Sequence, residues 1–440
     1  MSDPARPASV DDISFFDPAV NDCPYHAYDL LREEAPIWQD PSTGMFVMTR
    51  YEDIKDALVN VSVFTNAVGS AAGMTEKAVK PTDPEELAKH EQMVKEEAIL
   101  TAMYEKDGWV PVATLDALDP PTHMELRRMF DQAFRPGRIR ELDPFVEELT
   151  NRLFDAFMDD GHCEWVQAVA IPVPLYVIGR QMGVPDEDMP QIKAWTDAWV
   201  QRLGLMQTFE ERVWSAEQEI EAQQYFKPIF DRLREQPEDT LLSDLVNKEI
   251  PEWGRTLTDA ELQSEMMADF FVGGSETTTN AIAAGMRELI EKPELWERLK
   301  ADPDAHLETF CEEIIRIEGP VQGLLRELSE DVEMHGVHMP AGSVVNLRFA
   351  AANRDPREYD DPGEVDLDRT RSRTHLAFGF GEHFCLGAPL ARREMYWTFK
   401  VLVDRVERMW FAEGKNDFAY HPNYFLRALK ELHIEFEPKS

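Results

Sequence analysis

Four cysteines in 440 residues, Cys23, Cys163, Cys311 and Cys385, are too few and too scattered for a disulfide framework. None forms a C-x-x-C pair, so no metal-type cysteine pairing is indicated, and a reducing, cytoplasmic setting fits. Basic residues are also scarce. The balance of 45 Lys and Arg against 84 Asp and Glu leaves a formal net charge of -39. Such a chain repels nucleic-acid phosphates and anionic membranes, and it reads as a well-solvated acidic surface. Long apolar runs are missing as well. The longest, "AVAIPVPLYVIG", is interrupted by Pro172 and Pro174 and is too short to cross a bilayer. The opening "MSDPARPASVDDISFF" has no basic segment followed by an apolar one, so no signal peptide is expected. Repeats and low-complexity tracts are absent, and 43% apolar residues mark an ordinary globular chain. Length alone suggests two or three domains.

What is present is mostly helical in pattern. "DPAVNDCPYHAYDLLREEAPI" reads as a helix, and "GMFVMTRYEDIKDALVN" as a strand running into a helix. "LTDAELQSEMMADFFVGGSETTTNAIAAGMRELIEK" predicts one very long helix opened by a capping box of Thr258 and Glu261. Short β signals follow in "DVEMHGVHMPAGSVVNLRF" and "KELHIEFEP". The stretch from Val63 to Leu118 is a charged helical run followed by "WVPVATLDALDPP", which suits either a linker or a lid-like excursion.

One cysteine occupies an unusual setting. In "HLAFGFGEHFCLGAPLARREM", Cys385 lies among Gly379, Gly381 and Gly387, just ahead of a predicted helix. Helix N-terminal N–H groups favour a thiolate, and glycines let the backbone approach a flat ligand. The turn alone suits either an axial thiolate ligand to haem iron or a buried structural cysteine. The run Phe378–Gly387 resembles the haem-ligand signature of the cytochrome P450 family, F-x-x-G-x-x-x-C-x-G, at Phe378, Gly381, Cys385 and Gly387. The resemblance implies a single helix-rich domain over 1–440 with a small β lobe and a long distal helix, with 63–118 as an extended insertion. It implies haem b, iron protoporphyrin IX, ligated by Cys385 with Phe378, Gly379 and Gly387 around it.

Other motifs gain meaning from the same resemblance. Adjacent glycines in "VGGSETTT" weaken a helix interior, which fits either a local widening or a close helix crossing. Glu276 and Thr277, an acid beside an alcohol, match the family's distal-helix motif and are the expected catalytic proton carriers. In "EEIIR", Glu313 and Arg316 share a helix face, and "NRDP" and "EVDLDR" follow; by resemblance Glu313, Arg316 and Arg369 form a structural triad. His123 and Arg127 lie four apart in "HMELR", a spacing suited to a carboxylate, and the resemblance assigns them, with Arg326 and His375, to the haem propionates.

The implied activity is oxygenation of an apolar, mid-sized steroid, fatty acid or terpenoid, using O2 and two electrons from a ferredoxin and its NAD(P)H reductase. Rival readings are an aromatic acid hydroxylase, an H2O2-using peroxygenase, and a non-catalytic haem-thiolate sensor. The intact Glu276–Thr277 pair speaks against the peroxygenase. Expected pocket residues are Trp109, Phe270, Phe271, Gly273, Gln322 to Leu325 with Leu324 foremost, Phe425 and Leu426. Trp195, Trp199, Leu203 and Met206 are expected in a roof helix. Arg128, Arg135, Arg138, Arg140, Arg392 and Arg393 are expected to form a basic docking face for the ferredoxin. Residues 63–118 are expected to act as a mobile lid, with Ile99, Leu100, Met103 and Tyr104 on its apolar face.

Overall fold

The computed structural model describes residues 7–66, 84–204 and 206–439; of the expected lid, 63–118, the part 67–83 lies outside the described residues. Eight helices frame the site. They are α1 (Pro84–Asp107), α2 (Thr122–Asp131), α3 (Pro172–Met182), α4 (Met189–Leu203), α5 (Phe209–Glu235), α6 (Asp259–Glu265 continuing through Met266–Glu276 and Thr277–Glu291), α7 (Pro303–Ile317) and α8 (Ala388–Arg405). The expected capping box begins α6: Glu261 N–H donates to Thr258 Oγ1 at 3.3 Å, and Thr258 N–H donates to the Glu261 carboxylate at 2.7 Å. The N-terminal stretch expected to be one helix is two, Pro18–Asp22 and Tyr25–Glu34. Pro24 has no N–H to continue the first and serves as N-cap of the second.

The β component is a small lobe. Five strands, β1 (Ile37–Gln39), β2 (Phe46–Met48), β3 (Phe64–Thr65), β5 (Leu324–Leu328) and β8 (Val344–Leu347), lie in the order β1-β2-β8-β5-β3. Only β2 and β8 run parallel, with Phe46 opposite Val345. A second sheet orders β4 (His162–Glu164), β10 (His433–Pro438) and β9 (Val406–Phe411), and β6 (Val332–Met334) pairs with β7 (Val337–Met339).

The largest core joins α3, α6, α7 and α8. A Cβ on Gly285 of α6 would come within 2.4 Å of the Phe399 ring of α8, so this glycine sets how closely the two helices cross. Phe399 in turn meets Phe310 of α7 edge-on at 5.0 Å. That stack fixes α6 relative to the cysteine loop that feeds α8.

The segment before α2 is fastened to this frame. Leu100 and Tyr104 of α1 bury against Ala216 and Ile220 of α5. Tyr104 donates to Glu219 at 2.5 Å and accepts from Arg202 at 2.8 Å, while Arg202 also pairs with Glu219. Arg212 pairs with Glu96 and Glu97. Met103 packs beside this cluster, but Ile99 is half-exposed, so the apolar face is narrower than the sequence suggests. Beyond α1, Gln223 grips both backbone groups of Trp109, and Val112 N–H donates to Ser264 at 3.0 Å. Burial raises the carboxyl pKa of Asp269, to about 8, and that of its neighbour Glu265; Glu265 accepts the Leu115 N–H at 2.9 Å.

Candidate active site

Cys385 sits where the loop enters α8, its N–H donating to Phe378 O at 2.8 Å. Gly379 and Gly381 have φ of +69° and +72°, and a Cβ on Gly381 would come to 3.1 Å of Leu58 O. Both a left-handed backbone and a close approach therefore require glycine there. Burial raises the Cys385 thiol pKa; the Gly387 and Ala388 N–H groups and the charges of Arg127 and Arg392 oppose it. The bare thiol is protonated, and N–H dipoles stand ready for the thiolate that a coordinated metal cation would produce.

Beside it lies a group of basic side chains only partly engaged, His383 Nε2 meeting the Asn66 side-chain amide at 2.7 Å. Buried His123 makes no hydrogen bond through either ring nitrogen among the described residues and stacks on His383 at 3.9 Å. Burial and Arg127 lower the His123 pKa to about 4. Burial, then His123, Arg326 and Arg127, lower that of His383 to about 3. Arg326 is also buried, which lowers its pKa to about 10, and its Nη1 donates only to Leu325 O. Arg127 reaches Asp131 at 2.9 Å and Phe384 O at 2.8 Å. Two arginine cations and two histidine rings, kept neutral by burial and the neighbouring positive charge, surround one cysteine; the set suits an anionic ligand, and the two carboxylates of haem fit it.

His375 occupies another network. Its Nε2 meets Glu312 at 3.0 Å, and Glu312 also binds Arg392 at 2.5 Å and Arg373 at 3.2 Å. Burial would raise the Glu312 pKa, but His375 and Arg392 outweigh it and hold it at about 2. Arg392 covers the Phe378 ring at 4.7 Å. The structure thus groups His383, rather than the expected His375, with His123, Arg127 and Arg326. The overlooked signal is positional: His383 lies two residues before Cys385, inside the motif itself.

On α6 the two glycines divide the alternatives between them. Met266–Glu276 is wound as a π-helix, the widened form. A Cβ on Gly274 would press Ile178 of α3 at 3.1 Å, whereas one on Gly273 would meet only the Ala268 carbonyl of its own helix, at 3.4 Å. Gly274 serves packing and Gly273 leaves open backbone. Thr277 Oγ1 donates back to Gly273 O at 3.0 Å. Glu276 is buried and accepts from Lys193 at 3.1 Å and Thr196 at 3.0 Å. Burial raises its pKa against the pull of Lys193.

Glu313, Arg316 and Arg369 meet away from solvent. Arg316 donates to both Glu313 oxygens at 2.8 Å, and Arg369 Nε lies 3.0 Å from Glu313 Oε2. Arg316 further binds the carbonyls of Asn353, Pro362 and Glu364, tying α7 to the loop ahead of the cysteine.

The expected pocket residues separate. Leu324 and Gly273 present surface, as do Val110 and Val112, and Trp109 is half-buried. Phe271 is fully buried against Phe226, and Phe270 is wedged between Phe130 and Phe134, which places both in the core. Phe425 is buried edge-on to Tyr424, with Leu426 buried next to it, and Trp195 is a core residue bonded to Glu221. The expected basic face also divides. Arg392 is held by Glu312, Arg393 by Asp143 and Arg128 by Glu252. Arg135, Arg138 and Arg140 are exposed around Pro136–Arg140, a short helix that packs on α8.

A cysteine poised for a cation, donors poised for carboxylates and a widened helix carrying an acid and an alcohol define a haem-thiolate class of site. The family model "Cytochrome P450" matches residues 78–407. "Cytochrome P450 monooxygenase PikC" of Streptomyces venezuelae is 35% identical over 322 residues, 72% of this chain and 74% of that protein. "Steroid C26-monooxygenase" of Mycobacterium tuberculosis is 27% identical over 412 residues, 94% of this chain and 93% of that one. Among solved structures, P450BioI in complex with an acyl carrier protein carrying hexadec-9Z-enoic acid superposes with a TM-score of 0.80 at 26% identity, covering 95% of this chain and all of that one. The chain belongs to the cytochrome P450 family. It is a P450 monooxygenase, and the family's cofactor is haem.

Proposed function

We propose that this monooxygenase hydroxylates an apolar, mid-sized substrate of steroid, fatty acid or terpenoid type, with electrons from a ferredoxin and its NAD(P)H reductase. The observation that carries the reading is the acid–alcohol pair beside open backbone at Gly273. Haem, when bound, supplies the iron centre that activates O2, with the cysteine sulfur donating electron density to it. In this reading Cys385 is the ligand, and His123, Arg127, Arg326 and His383 neutralise the propionates. The Glu313–Arg316–Arg369 triad holds the backbone of the loop ahead of the cysteine. Glu276, buried and anchored by Lys193 and Thr196, holds a proton that Thr277 Oγ1 passes on toward the space beside Gly273. The exposed Val110, Val112 and Leu324 offer apolar surface for an apolar substrate. The exposed Arg135, Arg138 and Arg140 on the α8 side offer a basic spot for an acidic donor in a chain that is otherwise acidic. A cytoplasmic location fits the reduced thiols.

We further propose that residues 63–118 cap this pocket. Tyr104, Glu219 and Arg202 bind α1 to α4 and α5, so α1 would move with those helices.

Two kinds of relative support the substrate class: the steroid monooxygenase named above, and CYP109E1 from Bacillus megaterium, solved in complex with testosterone, with a TM-score of 0.75 at 29% identity, covering 94% of this chain and 99% of that one. The test is a ligand screen for a low-spin to high-spin change, followed by turnover with reduced ferredoxin. Steroids, fatty acids or terpenoids should shift the spectrum and yield hydroxylated product. Shifts confined to aromatic acids, or equal product from H2O2 alone, would overturn the reading.

A further inference from the structure

Arg348 follows β8 and is 1% exposed. Its guanidinium lies between the faces of Phe15 and Tyr424, at 4.2 and 4.3 Å. Nη1 donates to Tyr424 O at 2.9 Å. Nε and Nη2 have no hydrogen-bond partner among the described residues, and neither does the Tyr424 hydroxyl. No carboxylate pairs with Arg348 among the described residues. The neighbouring Glu318 is held by Arg354 and Arg427, and Asp22 accepts the Tyr420 N–H.

Arg348 and Tyr424 line a partly open pocket of about 20 Å³ between the N-terminal helices, the end of β8 and the Asn423–Leu426 turn, with Arg427, which is held by Glu318, also at its wall. That volume admits one water-sized particle. The other polar groups at its wall are engaged. Tyr28 donates to Gln322, Gln322 donates to Gly319 O, and Asn423 Oδ1 accepts from Phe425 and Leu426. What remains is donor capacity: the guanidinium Nε and Nη2, shared in part with the neighbouring Tyr28 hydroxyl, and one phenol O–H, with no carboxylate among the described residues to balance the positive charge. A water molecule would answer the donors and leave the charge, which is costly at this burial. A carboxylate or phosphate is larger than the space.

We propose that Arg348 and Tyr424 hold a single-atom monovalent anion, chloride, in this cavity. The anion balances Arg348 and fastens the Phe15–Phe16 segment and the Asn423–Leu426 turn to the β lobe. This site is separate from the cysteine loop and does not depend on the substrate reading.

The test uses the holoenzyme at constant ionic strength, with gluconate, too large for the cavity, replaced stepwise by chloride or bromide. Tm should rise and saturate with either halide, and Arg348→Met should abolish the response. Crystals grown in bromide should show an anomalous peak between Arg348 Nε, Nη2 and the Tyr424 hydroxyl. A Tm that is indifferent to halide, or that drifts without saturating, would overturn the proposal. So would a bromide map with no peak there, which would mean that water fills the site. If Arg348→Met does not fold, the wild-type titration and the bromide map decide the matter.

Discussion

In the proposed reading Thr277 passes the proton and His383 helps to hold the cofactor beside Cys385. Thr277 spends its proton on the Gly273 carbonyl, a bond readily exchanged for a partner in the open space beside it. Replacing it with alanine should leave reductant consumption intact while product per NAD(P)H falls, by up to about 100-fold if the hydroxyl is the main proton carrier. Coupling equal to wild type would reduce Thr277 to a helix-capping alcohol. His383 and His375 make a matched pair. His383→Ala removes a ring of the group proposed to hold the propionates and should speed haem transfer to apomyoglobin, whereas His375→Ala removes a partner of Glu312 and should act mainly on stability. Faster loss from the His375 variant would reverse the assignment. The cysteine was legible because its motif is local in sequence. His383 was not singled out, although it lies in the same motif, because its role depends on stacking against His123, a residue 260 positions away by subtraction of their numbers.

At the scale of elements, α6 shows what patterning reaches and where it stops. The capping box and helix length follow from residues a few positions apart. The π winding of Met266–Glu276, and the split between a packing Gly274 and an open Gly273, depend on where α3 places Ile178. The short strands β1, β3, β4, β5 and β9 escaped notice because runs of two to six residues carry little periodicity. In α1 the apolar face is one residue narrower than its sequence pattern, since Ile99 faces solvent while Leu100 and Tyr104 are buried. The anchoring of α1 bears on the lid proposal. Limited proteolysis of the free enzyme should cut within 63–118, and a ligand that shifts the haem spin state should slow that cleavage. Tyr104→Phe, which loses the hydrogen bonds to Glu219 and Arg202, should be cut faster than wild type. Cleavage indifferent to both would make the segment a fixed peripheral insertion.

For the whole molecule, charge organises both stability and assembly. An excess of 39 acidic charges stands against a cluster of bases at the cysteine and a guanidinium at Arg348 that meets no carboxylate among the described residues. The predicted basic face is smaller than its arginine count, because Arg128, Arg392 and Arg393 are neutralised by acids from distant parts of the chain. The histidines set a pH window. The His123 pKa is lowered from 6.5 to about 4 and that of His383 from 6.5 to about 3, so the unfolded chain takes up protons that the folded one refuses. Haem-free protein should therefore lose stability as pH falls below about 6.5, and His123→Gln should flatten that loss in a Tm–pH series. Bound propionates would raise both values and protect the holoenzyme; equal acid sensitivity of the two forms would argue against propionates at this cluster. The central claim is that Cys385 binds haem iron as a thiolate, and the reduced carbon monoxide complex tests it most directly. Wild type should show the red-shifted Soret band of thiolate ligation and Cys385→Ser should lose it; a normal thiolate band in the variant, or none in wild type carrying haem, would contradict the account.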